Sequence, residues 1–345
     1  MADSDATKDR VTPAAVGERP TLKTIARLTG MAVPTVSRAL NDAPDIGRET
    51  KERVRAAARQ VGYRPNRAGV RLRTGKTNVV SLVMSADHDI MNHTARLITS
   101  VAASLRNTPY HMIVTPYFFD QDPMEPVRYI VETGSADAVI MNQTTPEDPR
   151  VAYLMEHSFP FATHGRTRWA DDHAYYDFNN ESFAHYSVSE LSRRGRRNIL
   201  LVFPPQNQSY GQHMSAGALR AAQEKGVVAD RLTTAVSDDA GASIQPAITD
   251  YLRAHPETDA ILCAATTACM AATAAAEGVG LTLGEEIDIV AKEAIPFLKQ
   301  FRAGILCMYE DVGRAGTFVT RAAIDRIENP DGPPMQHLEQ PTKLG

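Results

Sequence analysis

Short polar side chains and a single arginine crowd one face of a brief helical pattern near the N-terminus. In Val33-Pro34-Thr35-Val36-Ser37-Arg38-Ala39-Leu40-Asn41, Val36 and Leu40 stand four apart and face inward. Val33, Pro34, Ser37, Arg38 and Asn41 are then turned outward. An arginine donates paired hydrogen bonds to a guanine edge, and an amphipathic helix with short polar residues fits the major groove. The chemistry these residues offer is the reading of DNA bases. Pro34 is tolerated because first-turn N–H groups lack an internal partner anyway.

Elements around this helix are arranged to present it. Leu22, Ile25, Ala26 and Thr29 fall on one helical face, and Gly30 supplies a tight turn before the second helix. A third helix is expected over roughly Arg48–Val61, closed by Gly62 and followed by the break Tyr63-Arg64-Pro65-Asn66. Beyond it runs Arg67-Ala68-Gly69-Val70-Arg71-Leu72-Arg73-Thr74-Gly75-Lys76, a basic linker with one large apolar side chain, Leu72. Gly69 costs that weak helix roughly 1 kcal/mol relative to alanine, so DNA and a second copy are expected to order it.

Charge is divided in the same way. The formal net charge is −4, yet residues 19–76 hold 14 basic against 4 acidic side chains, a net of +10. Residues 77–345 carry a net of −12. A compact segment with that excess attracts a polyanion that the remainder repels. Residues 1–19 read as a disordered tail.

From Asn78 onward short apolar runs alternate with helical stretches. Val79–Met84, His111–Thr115, Ala138–Met141, Ile199–Phe203, Ala260–Cys263 and Ile287–Val290 are expected as buried strands. Helices are expected near 92–106, 124–133, 180–194, 211–225, 244–254 and 267–277. Strand alternating with helix implies parallel sheets covered on both faces, here two, with ligand bound beyond the carboxyl ends of the strands. No apolar run approaches the ~18 residues of a membrane helix, and the polar N-terminus has no signal-peptide character. Cys263, Cys269 and Cys307 form no CxxC pair and read as reduced core residues of a cytoplasmic protein.

Enzyme chemistry finds little footing. HExxH, GxSxG and a Walker phosphate loop are absent, and Gly278-x-Gly280-x-x-x-Gly284 follows a helix rather than a strand. The ten histidines show no metal-ligand spacing. The chain is therefore expected to be no enzyme and to need no metal or cofactor. A Rossmann-like metabolic enzyme or a non-regulatory sugar-binding protein is the alternative; neither explains the basic headpiece.

Thr21-Leu22-x-x-Ile25-Ala26-x-x-x-Gly30, Thr35-Val36-Ser37-Arg38-x-Leu40-Asn41, Gly62-Tyr63-x-Pro65-Asn66 and Leu72 together resemble the lactose/galactose repressor family of bacterial regulators. The resemblance implies an all-α helix-turn-helix headpiece (20–65), a hinge (66–76) and an α/β periplasmic-binding-protein-like core (77–345) of two Rossmann-like subdomains. It divides that core into about 77–177 plus 312–333 and about 178–311 plus 334–345. It also implies a homodimer on palindromic operator DNA, with Val33, Pro34 and Arg38 reading bases and Thr35 and Ser37 touching phosphate. Asn41, Tyr63, Asn66 and Arg67 join the DNA-contacting set, and Leu72 becomes a wedge between base pairs. Ala32 stands where the family usually places a capping serine.

In the core, Ala136-Asp137-Ala138-Val139-Ile140, Phe159-Pro160-Phe161 and Asp177-x-Asn179 stand at familiar positions. Thr144-x-Pro146-x-Asp148-Pro149-Arg150-Val151 with His164-Gly165-Arg166 looks like a subgroup sensing sugars, α-glucosides or other disaccharides among them. The implied effector site is Asp87, Thr144, His213, Met214, Lys292, Glu293 and Glu310, with Met214 replacing the usual arginine. Carboxylates accept hydrogen bonds from vicinal hydroxyls, which suits Glu293 and Glu310 to a polyol. His88 and Asn92 are further candidates. The expected function is a repressor switched by a small carbohydrate.

Overall fold

The structure is a computed structural model and describes residues 20–64, 71, 75–86, 93–118, 120–342 and 344. It falls into two compact units, divided between Lys76 and Thr77.

In the first unit the described residues form α1 (Leu22–Thr29), α2 (Val33–Leu40) and α3 (Arg48–Gln60). The Thr21 N–H donates to Thr24 Oγ1 at the start of α1, and Gly30, at φ +69, ends it with its N–H on the Ala26 carbonyl. That left-handed turn suits glycine because a Cβ there is strained. Ile25, Val36, Ala39, Val54 and Ala58 are buried at the common centre, with Leu22, Ala26, Leu40 and Tyr63 packed around them. A core this small is helped from outside: Asp42 takes Lys51 at 3.0 Å and Arg55 at 2.9 Å.

The second unit contains two sheets. The first orders its strands β11-β5-β4-β3-β1-β2 and the second β10-β9-β8-β6-β7, and each pairing among the described residues is parallel. The first is built from β1 (Val79–Ser85), β2 (His111–Tyr117), β3 (Ala138–Met141), β4 (Phe161–His164), β5 (Ala174–Phe178) and β11 (Gln336–Glu339). The second holds β6 (Asn198–Val202), β7 (Val228–Arg231), β8 (Ala260–Cys263), β9 (Asp288–Glu293) and β10 (Leu306–Tyr309).

Helices cover both faces, as parallel strands require. On the first sheet Val80, Leu82 and Ile140 face α4 (His93–Ser104) and α12 (Val312–Glu328). Their strand neighbours Val79, Val83, Val139 and Met141 face α5 (Met124–Thr133) and α6 (Pro149–Glu156). The second sheet repeats the pattern. Ile199, Leu201 and Leu262 face α7 (Asn180–Arg193) and α8 (Ser209–Lys225), whereas Leu200, Val202 and Ile261 face α9 (Gly241–Ala254) and α10 (Thr266–Gly278). A short α11 (Leu298–Phe301) follows β9. Cys263, Cys269 and Cys307 are free and buried in the second subdomain.

Two sequence expectations need correction. The family resemblance places residues 334–345 in the second subdomain, but β11 pairs with β5 in the first sheet, Gln336 opposite Tyr175. Among the described residues of that stretch, Leu344 packs against the second core. An isolated short strand carries no sign of its partner, and its sheet is chosen by the free edge of β5. His111–Thr115 was expected to be buried, yet β2 is an edge strand with Ile113 47% and Val114 38% exposed. An apolar run shows that something covers a strand without showing that the same chain does.

α7 and α8 approach closely at Gly217, where an added Cβ would lie 2.0 Å from the Glu181 carbonyl oxygen. The obstacle is backbone and cannot rotate away. Gly217→Ala should destabilise the core by about 3 kcal/mol, the overpacking cost outweighing the ~1 kcal/mol gain in helix propensity. Thermal unfolding of the purified variant checks this, and an unchanged midpoint would contradict the packing.

Candidate functional site

The second helix of the headpiece presents its outer face as the sequence suggests. Pro34, Arg38 and Asn41 are exposed and Val33, Thr35 and Ser37 half-buried, over buried Val36 and Ala39. Two of these side chains already have partners in the free protein. Arg38 is paired with Asp45, and the Asn41 amide donates to the Ser37 carbonyl at 2.6 Å. Tyr63 is half-buried against the headpiece core, and desolvation raises its hydroxyl pKa. Asn66, Arg67 and Leu72 lie outside the described residues, as do the tail, Gly69, Asp87, His88 and Asn92.

In the second unit the carboxyl ends of both sheets border one cavity of about 170 Å3, room for a small molecule rather than a polymer segment. Side chains reach it from the ends of six strands: Asn142 and Thr144 after β3, His164 on β4, Asp177 on β5, Ala264 after β8, Lys292 on β9 and Glu310 after β10. Helix starts complete the wall, with His93 on α4, Asn180 on α7 and Tyr210 on α8, and Asp238 stands beyond β7.

Glu310 is the electrostatic centre. The residue is 3% exposed, and its carboxylate receives the Lys292 ammonium at 2.6 Å, while the Nε2 atoms of His93 and His164 each stand 3.6 Å from its other oxygen. Burial alone would raise its pKa, but Lys292 and then the two imidazoles hold it well below the usual range. Lys292 is itself held by Asn180 Oδ1 at 2.9 Å and lies over the Phe178 ring at 5.1 Å. Asp177 shows the opposite balance: burial raises its pKa despite the Arg166 guanidinium at 2.8 Å. Tyr210 is pushed well above its ordinary value by burial and by Asp238, to which its hydroxyl donates. Asn142 Oδ1 is buried with no hydrogen-bond partner among the described residues.

Thr144, Lys292 and Glu310 of the expected effector residues are brought together at the cavity. Met214 and Glu293 are not, and those expectations are corrected. Met214 is fully buried with Ala218 and Ala221, the inward stripe of α8. Glu293 directly follows Lys292 on β9, so the pleat turns the two to opposite faces. Its carboxylate accepts the Phe297 and Leu298 N–H groups at 3.0 and 2.9 Å, which anchors the start of α11. His213 does not line the cavity; burial lowers its pKa and its Nδ1 has no partner among the described residues. His93, Asn142, His164, Asp177, Asn180, Tyr210 and Asp238 were not singled out as effector residues from sequence. Their common signal is a position just at or beyond a strand's carboxyl end.

The Thr144–Val151 stretch proves to be scaffolding for the site. Asp148 caps α6 by accepting from the Arg150 N–H, and Arg150 pairs with it at 2.7 Å. The same guanidinium donates to the carbonyls of Asn142 and Gln143, pinning the loop that lines the cavity. Thr144 Oγ1 donates to the Arg166 carbonyl at 3.0 Å. It passes so close to Gly165, at φ +121, that a Cβ there would meet it at 2.5 Å.

Known proteins join these two halves. Residues 21–66 match the family described as bacterial regulatory proteins, lacI family. Residues 110–311 match the periplasmic binding proteins and sugar binding domain of the LacI family. A helix-turn-helix headpiece with such a core defines a class, the DNA-binding transcriptional regulators that carry a ligand-binding domain. Within that class, this chain belongs to the LacI family. The HTH-type transcriptional regulator AglR of Rhizobium meliloti (strain 1021) is 30% identical over 328 residues, covering 92% of this chain and 90% of that protein. RafR of Escherichia coli is 34% identical over 208 residues, 60% of this chain and 62% of that regulator. In fold, the lac repressor dimer bound to operator and the anti-inducer ONPF superposes with a TM-score of 0.82 at 17% identity, covering 95% of this chain and 98% of that one. The CelR–cellobiose complex gives 0.68 at 22% identity, with 95% and 98% covered. The chain is thus a transcriptional regulator and not an enzyme, with a headpiece and a core of two parallel α/β subdomains.

Two outcomes follow from this geometry. Arg38→Ala should weaken specific operator binding by about 1–3 kcal/mol, whereas Asp45→Asn should strengthen it by freeing Arg38 and removing a charge that repels phosphate. Gel-shift titrations would show both, and equal affinities across the set would remove Arg38 from the interface. In the core, Arg150→Met leaves Asp148 buried and unpaired and should cost about 3–5 kcal/mol. Asp148 suffers desolvation, but Arg150 depresses its pKa below the ordinary value. The pair's contribution is therefore full above about pH 4 and lost as pH falls through the lowered folded value. Denaturant unfolding should show the gap between wild type and variant narrowing in acid.

Proposed function

We propose that the chain is an operator-binding repressor in the cytoplasm, acting as a homodimer and switched by an uncharged small carbohydrate, an α-glucoside or other disaccharide. The observation that carries the effector reading is the cavity wall itself. Carboxylates, amides, imidazoles and an ammonium converge there, and Asn142 Oδ1 is a buried acceptor still without a donor among the described residues. Sugar hydroxyls supply donors and acceptors together and satisfy such a wall. Glu310 answers the charge of Lys292, and Asp177 and Asp238 add further carboxyl groups, so a phosphate or carboxylate ligand meets little unpaired positive charge. The family's core is described as a sugar binding domain, and one structural relative is a cellobiose complex.

The headpiece excess of +10 supports a polyanionic partner, with Val33, Pro34 and Arg38 on base edges and Thr35 and Ser37 on phosphate. Asn41, Tyr63, Asn66, Arg67 and the wedge Leu72 complete the proposed DNA contacts. Along the edge strand β2, Val114 and Phe118 are exposed on one side and Ile113 on the other, an apolar edge for a second copy to cover. Sugar releases DNA in this scheme because it favours one arrangement of the two subdomains, and the shift is limited to its differential affinity for the two states.

Calorimetry with neutral mono- and disaccharides, a sugar phosphate and a uronic acid tests the effector. A neutral sugar should bind, be recovered chemically unchanged, and lower operator affinity. Asn142→Ala should weaken sugar binding by about 1–3 kcal/mol while sparing thermal stability. Turnover of the sugar, preference for the anionic ligands, or full affinity in the variant would contradict the proposal.

A further inference from the structure

His93 and His164 come from different elements and lie stacked at the cavity, ring centroids 5.0 Å apart and planes within 6°. Both point Nε2 at the same oxygen of Glu310, at 3.6 Å, too far for a hydrogen bond. The candidate ligand atoms of the three residues all lie within 4.8 Å of one another. Nitrogen and oxygen ligands about 2.0–2.1 Å from a tetrahedral Zn2+ are separated by about 3.4 Å, so two of the edges are already near the required length. We propose that His93 Nε2, His164 Nε2 and one oxygen of Glu310 form a site for a divalent transition cation, Zn2+ being the best match, with a fourth position open to the cavity.

The surroundings meet the remaining demands of such a site. Each imidazole directs Nε2 at Glu310 Oε1. Lys292 engages Oε2 of Glu310, so Oε1 is left for the cation. A carboxylate whose second oxygen is held by a neighbouring donor is an oriented ligand. Lys292 repels a cation, but its ammonium is already paired with Glu310 Oε2 and held by Asn180 Oδ1. Two imidazoles with one carboxylate and an open position suit a borderline metal better than Ca2+ or Mg2+, which prefer oxygen.

The regulatory consequence rests on the effector reading: the open position would take a sugar hydroxyl, making the metal a co-ligand of the effector. The site itself is tested without sugar. Protein stripped with EDTA and dialysed is titrated with ZnCl2 by calorimetry, and with CoCl2 by visible absorption. Wild type should bind one Zn2+ per chain and give the d–d bands of four-coordinate Co2+. His93→Ala and His164→Asn should each weaken Zn2+ at least tenfold and abolish the bands, and His185→Ala, at the separate His185–Glu224 pair, should change neither. His93 has a side chain 40% exposed at the first turn of α4, so its truncation spares the fold and decides the matter if His164→Asn fails to fold. Absence of saturable Zn2+ binding, or unchanged binding in His93→Ala, overturns the site. Sugar titrations of the metal-free protein separate the two ideas: sugar binding without a Zn2+ site leaves the effector reading standing, and the reverse result leaves the metal standing alone.

Discussion

Parallel pairing is the constraint from which the core follows. When neighbouring strands run the same way, their carboxyl ends finish on one side, and each connection must return over a sheet face. Residues far apart in sequence, such as His93, His164 and Glu310, are then delivered to one rim. The second consequence of strand geometry is alternation. Lys292 reaches the cavity because it occupies the cleft-facing phase of β9, and Glu293 cannot, because the next residue always faces away. Chemical suitability never enters that choice. A carboxylate one position along becomes an anchor for α11.

Charge within the cleft is handled by pairing rather than by exposure. Removing Glu310 and Lys292 from water costs several kcal/mol each, which their contact at 2.6 Å and the bond to Asn180 must offset. The same economy appears behind the wall, where Asp148 and Arg150 are buried together. There the guanidinium has donors left over for two loop carbonyls. Arginine suits that task because its planar fork satisfies several acceptors at once, as lysine cannot.

Sequence made the architecture legible and the site only in part. Apolar runs such as Ala138–Met141 and Ala260–Cys263 coincide with strands because no other element buries every residue of so short a run. β7 escaped notice because its residues alternate between exposed and half-buried and include Asp230 and Arg231; β11, at a sheet edge, is polar for the same reason. Family likeness led to Glu310 and Lys292, which do line the cavity, and to Met214, which does not. Met214 lies on the inward stripe of α8 with Ala218 and Ala221, so its place in the chain does not bring it to the cavity. His164 belongs to a motif legible in the sequence, but its proximity to His93 depends on β4 ending and α4 beginning at the same rim. No spacing in the chain encodes that.

The path of the chain between the two sheets bears on how the molecule is made. It leaves the first sheet after β5, builds the second from β6 to β10, and returns with α12 and β11. On a ribosome, which works from the N-terminus at roughly 5–20 residues per second, the headpiece emerges first and has every partner it needs. The first sheet waits much longer. Its face under α12 stays uncovered, with Val80, Leu82 and Tyr176 exposed to whatever they meet, until nearly all of the chain has been translated. For that interval a nascent regulator carries a finished headpiece and an unfinished sensor.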